Sequence, residues 1–396
     1  MKIKNQTIKK VSAKEIIDSR GKSTIEVDLF CGSSRFSASV PSGTSTGKFE
    51  AKAKDVKVAI KNIERVIAPK IIGQSVNNQG GIDDLLIKLD GTKDKSNLGG
   101  NSTLAVSIAC LRAGAKSQEL PLWKWISRIS GIKPKLPYLS LLQVEGGLHA
   151  SQGGTDIQEF MTVLQDRSFR ENFRQGLKIY KALRIILLKR YGKSAILLGL
   201  EGAFTPSIKS AEEILSLIMA AAEKAGLEKK IKIILDVAAT HDHSRKTEAF
   251  YLNLLENYPV LGLEDPFPEN DWKNWQAIMS GVKNRKLKTM IIGDDLTVTN
   301  VIRMREAKRK KACNALIIKP NQIGTVSETI AAVLLAKSFG WQTIVSHRSG
   351  ETMDDFIADL AVGIGADFIK SGAPSRSERM VKYDRLIKIE KELWQS

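Results

Sequence analysis

The sequence predicts an α/β chain: a parallel β-barrel with its chemistry at one rim, preceded by a separate α+β unit. Three observations carry this. Six short, mostly apolar runs in the second half each lead, at once or within two residues, to an ionisable residue. The runs are Ile231–Leu235, Val260–Leu263, Met290–Ile292, Ala315–Ile318, Thr343–Val345 and Phe368–Ile369, and the residues are Asp236, Glu264, Asp294, Lys319, His347 and Lys370. A strand buried on both faces reads as a continuous Ile/Leu/Val run, and a residue at its carboxyl end projects into the mouth built by the following loops. A helix-like segment follows each run, as βα units require. Residues 1–135 are patterned differently, with strands first and helices after.

In chain order, that first unit opens with strand-like stretches at Ile3–Val11 and Ser23–Phe30, then a Gly/Ser/Thr loop at Pro41–Gly47. Helices are expected at Ala51–Ile67 and Gln79–Leu89, and a third at Thr103–Ser117 behind Asn101, a good N-cap. The Pro-containing segment Gly131–Pro137 reads as the junction, dividing the chain into domains 1–135 and 136–396. Beyond it come apolar runs at Tyr138–Val144 and Ile157–Leu164, helices at Ser168–Tyr191 and Ile208–Ala225, and the six strand-helix units. Two strands, two helices and six βα units supply eight strands.

Composition narrows the functional classes. The 396 residues are 42% hydrophobic and 26% charged, as in globular proteins. No apolar run approaches the roughly 20 residues needed to span a bilayer, and Met1–Lys14 lacks the apolar core of a secretory signal. Three widely spaced cysteines, Cys31, Cys110 and Cys313, form no metal or redox motif and point to a reducing cytoplasm. Lys plus Arg of 61 against Asp plus Glu of 43 gives a net charge of +18, a field that attracts anions. Nucleic acid falls within that class of partner, but no aromatics interleave with the Lys308–Lys311 run as a single-strand groove would need, and no phosphate loop has Walker spacing.

The strand-end residues define the chemistry. Taken singly, Asp236, Glu264 or Asp294 reads as a loop cap or a surface ion pair. Three carboxylates at adjacent strand ends, about 4.8 Å apart, repel one another unless a cation sits among them, and hard oxygen donors suit Mg²⁺. A partly desolvated lysine such as Lys319 or Lys370 can act as a general base, or stay charged and bind an anion. Ser346–Thr352, with Arg348 and Ser349 near a helix start, offers a site for phosphate or carboxylate. The hydroxyl-rich Pro41–Gly47 loop could close over a substrate if the first unit covers the barrel mouth.

Through IIDSRG at Ile16–Gly21, PSGTSTG at Pro41–Gly47, QEFM at Gln158–Met161, LEDPF at Leu263–Phe267, GDDLTVTN at Gly293–Asn300, KPNQIG at Lys319–Gly324, SHRSGET at Ser346–Thr352 and IKSGAPSRSER at Ile369–Arg379, the chain resembles the enolase family over nearly its whole length. Other members of the wider superfamily share the barrel and its metal acids but not SHRSGET. The resemblance implies a capping α+β domain and a ββαα(βα)6 barrel whose second strand is antiparallel. It implies Mg²⁺-dependent, reversible dehydration of 2-phosphoglycerate to phosphoenolpyruvate by a homodimer or larger homo-oligomer. Asp236, Glu264 and Asp294 would hold the first Mg²⁺, Ser45 a second together with the substrate phosphate, and Lys319 would abstract the C2 proton. The superfamily's Lys or His base working beside Mg²⁺ is a known pattern. Glu201 would assist departure of the hydroxyl with Glu159 alongside. Arg348 and Ser349 would bind phosphate, Lys370 would stabilise developing charge, and His149, Gln158 and His347 would line the pocket.

The chain also departs from the family pattern. It has Gly199-Leu200-Glu201-Gly202-Ala203 where GDEGG is usual, so Glu201 loses its acidic neighbour. It has Glu145-Gly146-Gly147 for Asn-Gly-Gly, Gln152 for the later Asn beyond His149, and Ala239-Thr240-His241 for Ala-Ser-Glu. These changes keep two other readings open: a relative acting on another phosphorylated acid, and a weakly catalytic anion- or nucleic-acid-binding homologue.

Overall fold

The computed structural model describes residues 6–44, 47–150, 154–241 and 246–395. The first unit holds a three-stranded antiparallel sheet, β1 (Lys10–Ile17), β2 (Ser23–Cys31) and β3 (Ser34–Ser39). Its register, Lys10 opposite Phe30 and Ile17 opposite Ser23, is set by the turn between β1 and β2. There the Asp18 carboxylate accepts from the amides of Arg20 (2.8 Å) and Lys22 (2.9 Å), and Gly21 takes φ +75°, a conformation that favours glycine. The first strand therefore lies later than the expected Ile3–Val11, because turn chemistry rather than apolar content places it. Strand β3 was not expected. Its sequence, SRFSAS, carries too little apolar pattern to announce a strand.

The helix expected from Ala51 begins at Val56, where Asp55 accepts from the Lys57 amide at 3.0 Å. It widens into a π-turn at Ile63–Ile67 and ends at Ile71, past Pro69, whose missing N–H interrupts the regular ladder. Helix Gln79–Asp90 matches the expectation, whereas helix Gly100–Ser117 starts before Asn101, which does not cap it: Gly99 holds the cap position, and the Asn101 side chain instead exchanges hydrogen bonds with the Lys54 backbone (3.0 and 2.9 Å); Leu122–Ser130 is an addition. Helix Gly100–Ser117 is buried along nearly its whole length and joins the unit to the barrel. Thr103 Oγ1 donates to Gly324 O (2.8 Å), Val326 N donates to Ser107 Oγ (3.0 Å), and the Arg112 guanidinium clamps Asp354 with two bonds of 2.7 Å.

The second unit is a closed eight-stranded barrel. Its strands, in ring order, are β4 (Tyr138–Glu145), β5 (Glu159–Leu164), β6 (Lys232–Asp236), β7 (Val260–Glu264), β8 (Met290–Gly293), β9 (Ala315–Ile318), β10 (Gln342–Ser346) and β11 (Phe368–Lys370). Neighbours are parallel except at β4/β5 and β5/β6, so β5 is the antiparallel strand. Helices Phe169–Tyr191 and Ala211–Lys224, capped by Ser168 and Ser210, precede β6. A helix follows each later strand. Strands β8 and β9 are buried at every position, as their continuous apolar runs require.

The pairing register does more than close the ring. Glu145 on β4 stands opposite Glu159 on β5, Glu159 opposite Asp236 on β6, and Asp236 opposite Glu264 on β7. Because β5 runs backwards, its first residue reaches the rim where its neighbours end. Four carboxylates thus stand level along one arc.

Candidate active site

A cleft opens at that rim. It is lined by His149, Gln158, Glu159, Glu201, Asp236, Asp294, Lys319, His347, Arg348, Ser349 and Lys370, which unites nearly every residue singled out from the sequence. Glu264 is fully buried and reaches the cleft through Lys370. Ser45 lies outside the described residues.

Lys370, at the end of β11, sits among the acids. Its Nζ is 3.3 Å from Glu159, 3.0 Å from Asp236 and 2.9 Å from both oxygens of Glu264. Burial alone would lower its pKa, but Asp236, Glu159 and Glu264 push it well above the usual lysine value, so it stays an ammonium. Burial pushes Glu264 and Glu159 well above the usual carboxylate value, with neighbouring charge contributing. Both carboxyls are thus harder to ionise than a free carboxylic acid.

Lys319 follows β9, which stands four strands from β5 either way around the ring, so it faces Glu159 across the mouth. Its ammonium pairs with Asp294. Burial raises a carboxyl's pKa, but Lys319 overrides it and holds Asp294 down at about 2. In return Asp294 outweighs burial and keeps Lys319 protonated. Asp294 also accepts from Gln322 Nε2 at 2.9 Å, and Gln322 Oε1 accepts from Thr299 Oγ1 at 2.8 Å. Thr299 Oγ1 in turn accepts from the Lys319 amide at 3.0 Å, which fixes Lys319 and Asp294 to one frame.

Behind Asp294 lies Asp265, a residue the sequence did not single out. Its carboxylate accepts from the amides of Asp294 (2.9 Å) and Asp295 (2.8 Å), so it shapes the loop that presents Asp294. Asp265 itself has φ +41°, a strained conformation of the kind that collects at functional sites. His241, where the family usually has Glu, lies 2.8 Å from Asp295 and also lines the cleft.

The other half of the site is carried by connections. Glu201 belongs to a turn between the two long helices, and its carboxylate reaches 3.1 Å from His347 Nε2 and 3.9 Å from His149 Nδ1. Position 200, beside Glu201, is a leucine, and the turn takes a carboxyl from elsewhere in the chain. Glu145 accepts from the amides of Glu201 (3.0 Å) and Ala203 (2.7 Å), so the turn is held by a carboxylate from the end of β4. A side chain on Gly199 would collide with that carboxylate at 2.6 Å. Burial, helped by the Glu201 charge, pushes Glu145 up to about 8. The two departures from the family pattern, read separately in the sequence, are thus one local rearrangement.

Arg348 is buried and already partnered: its guanidinium is 3.0 and 3.3 Å from the Glu50 carboxylate and 3.1 Å from Asn321 Oδ1. Glu50, from the first unit, gave no sequence signal, since it lies outside every motif. Ser349 Oγ accepts from the Thr44 amide at 2.8 Å and meets Thr44 Oγ1 at 2.8 Å, so Thr44 of the hydroxyl-rich loop is held against the turn after β10.

Two groups among the described residues gather metal-ligating atoms within 4.8 Å of one another: His149, Glu159 and Glu201, and Asp265, Asp294 and Asp295. The trio expected from the sequence is instead bridged by Lys370 and Lys319. Comparison with known proteins agrees with the fold. The family model "Enolase, N-terminal domain" matches residues 8–126, and "Enolase, C-terminal TIM barrel domain" matches residues 134–253 and 241–396. The enolase of Mastigamoeba balamuthi is 42% identical over 425 aligned residues, covering 98% of this chain and 96% of that protein. Enolase B of Dictyostelium discoideum is also 42% identical, covering 98% and 95%. With both family domains matched in order and relatives aligned from end to end, this chain belongs to the enolase family.

Proposed function

We propose that this chain catalyses the Mg²⁺-dependent, reversible dehydration of 2-phosphoglycerate to phosphoenolpyruvate in glycolysis and gluconeogenesis, as a lyase. The observation that carries the reading is the level row of Glu159, Asp236 and Glu264 with buried Lys370 among them and Lys319 across the mouth. Asp236, Glu264 and Asp294 offer hard carboxylate oxygens whose charge is offset here by lysines, a donor set suited to Mg²⁺. These three would hold the ion, and Ser45 a second. When bound, Mg²⁺ supplies positive charge that stabilises an enolate-type intermediate.

The chain's own residues do the rest. Lys319 takes the C2 proton. With Asp294's charge committed to a cation, the lysine loses the partner that keeps it protonated. Lys370, held as an ammonium, stabilises charge developing on the substrate carboxylate. Glu201 assists departure of the hydroxyl, with Glu159 nearby, while His149, Gln158 and His347 shape the pocket. Arg348 and Ser349 bind the phosphate.

The same proposal includes a boundary after residue 135, a cytoplasmic location and a homodimeric or larger assembly. The three cysteines are buried and unpaired, which accords with a reducing compartment. No helix among the described residues is long and apolar enough to cross a membrane. The test is direct: purified protein, 2-phosphoglycerate and Mg²⁺, followed by the ultraviolet absorbance of phosphoenolpyruvate. Mg²⁺-dependent turnover that is abolished by Lys319→Ala is expected. Absent turnover, or turnover indifferent to that substitution, would overturn the reading.

A further inference from the structure

Arg379 lies in the first turns of the C-terminal helix Ser377–Gln395 and is completely buried. One guanidinium nitrogen, Nη1, is 2.7 Å from His347 Nδ1 and donates to Arg348 O at 2.6 Å. The other, Nη2, donates to Ser349 O at 2.7 Å and reaches Leu200 O at 3.5 Å. The side-chain stem runs past Gly372, where an added Cβ would sit 2.9 Å from Glu201 O, 3.1 Å from Arg379 Cδ and 3.2 Å from His347 Cε1. Here glycine is required by close approach as well as by φ +77°.

An arginine side chain has N–H donors and no acceptor, and it stays charged at any ordinary pH. At 2.7 Å from Arg379, the Nδ1 of His347 must present a lone pair. A neutral imidazole with a bare Nδ1 carries its proton on Nε2, and which nitrogen holds it is set by the partner of the other. His347 Nε2 lies 3.1 Å from Glu201 Oε2, so a proton held on Nε2 sits on the Glu201 side of the ring. The charged groups facing the ring are Glu201, Arg379 and, from the same turn, Glu351. Burial, which disfavours a second positive charge beside the guanidinium, pushes the imidazole down to about 4.

We propose that Arg379 is a positioning residue that fixes His347 as the neutral Nε2–H tautomer, so that His347 donates to Glu201, and that ties the Glu201 turn to the Ser346–Ser349 turn. The proposal deepens the reading of Glu201 as the acid and rests on it. Glu201 Oε2 lies 3.1 Å from His347 Nε2, so a proton held on Nε2 faces that oxygen, while Oε1 lies 3.9 Å from His149 Nδ1. The carbonyls of Leu200, Arg348 and Ser349 share one cation, which sets the spacing between the acid and the anion-binding turn.

The test uses full-length protein labelled with ¹⁵N at histidine. The chain has 4 histidines, so the ring signals of His347 are identified by their loss in His347→Gln. Expected in the substrate-free wild type is a bare Nδ1 and a protonated Nε2, unchanged from about pH 5.5 to pH 9, across the ordinary histidine value. In Arg379→Met the ring should populate the other tautomer or titrate near about 6.5, and kcat should fall about 10- to 100-fold with KM changing less. Arg379→Lys keeps a donor and should restore the Nε2–H tautomer while the carbonyl bonds stay lost. A protonated Nδ1 in the wild type, or ring signals unaltered in Arg379→Met, would overturn the proposal. The ring measurement in wild-type protein needs neither substrate nor turnover, so its failure is distinguishable from failure of the assigned reaction.

Discussion

The rim has two halves that are held in different ways. Asp236, Glu264, Asp294, Lys319, His347 and Lys370 stand at, or one residue beyond, the ends of barrel strands, where ladder pairing places the backbone. Glu201 hangs from a turn outside the barrel strands, closed by isolated bridges of Phe204 to Leu198 and to Val144. That turn is held by Glu145 on two amides, by Ala373 N on Glu201 O at 3.1 Å, by Ser375 Oγ on Gly202 O at 2.6 Å and by Arg376 on Gly199 O at 2.7 Å. A strand-borne group is positioned by the same bonds that make the fold. A turn-borne group needs a purpose-built frame of buried polar side chains, each costly if its partner is lost. The departures noted in the sequence at Glu145 and Leu200 both fall in this second half.

The largest expected effect separates the halves chemically. Lys319→Ala should lower kcat by at least about 10²- to 10⁴-fold and abolish exchange of the C2 proton with deuterated solvent, whereas Glu201→Gln should lose turnover and keep the exchange. Loss of exchange in both, measured by NMR of the substrate pool, would show that the turn also positions the base.

Next in size, Lys370→Met leaves Glu159, Asp236 and Glu264 facing one another without their ammonium. Breaking such a buried group of charges costs about 3–5 kcal/mol, read as a lower urea midpoint in chelator-treated protein. Adding Mg²⁺ should raise the midpoint of this variant more than that of the wild type. Equal gains would mean that the carboxylates do not share the ion.

Glu145→Gln probes the frame of the turn. It keeps one acceptor oxygen but turns an amide donor toward two backbone N–H groups, so kcat should fall about tenfold, with loss of one buried hydrogen bond worth about 1–3 kcal/mol. Steady-state kinetics showing unchanged kcat would mean that Ser375, Arg376 and Ala373 suffice to hold Glu201.

The smallest effect is in pH dependence, and the two halves differ in sign. His347, buried neutral, has a folded value of about 4 against about 6.5 unfolded, so the unfolded chain binds more protons between them; its contribution is present above pH 6.5 and lost as pH falls toward 4. Glu145 has a raised folded value of about 8, so its contribution is present below about 4.5 and lost as pH rises through 8. Urea titrations from pH 5 to pH 8, a span of about three units, should show His347→Gln flattening the rising limb and Glu145→Gln the falling one. Unaltered slopes would remove these groups from the linkage.

Much of this site was legible in the sequence because its signals are local. An apolar run followed by one ionisable residue names a strand and the side chain at its end, and a Ser or Asp before a periodic segment names a helix start. The early strand was misplaced because an Asp18 turn sets its register, and β3 was missed because its alternation is nearly all polar. Glu50, Asp265, Glu145 and Arg379 were not singled out as functional, since each acts on residues far along the chain; Glu50 lies outside every motif, and Asp265 and Arg379 sit within motifs whose pattern does not show what they touch.

The sequence by itself determined which side chains stand on the rim, since strand period and burial follow from residue type over a few positions. Tertiary structure decided their partners: Lys370 among three carboxylates from three strands, Arg348 on Glu50 from the other unit, and Glu145 on the amide of Glu201. Those choices depend on barrel register and on contacts between segments more than fifty residues apart. Local pattern cannot encode them, because a buried charge takes whichever donor the closed fold brings within reach.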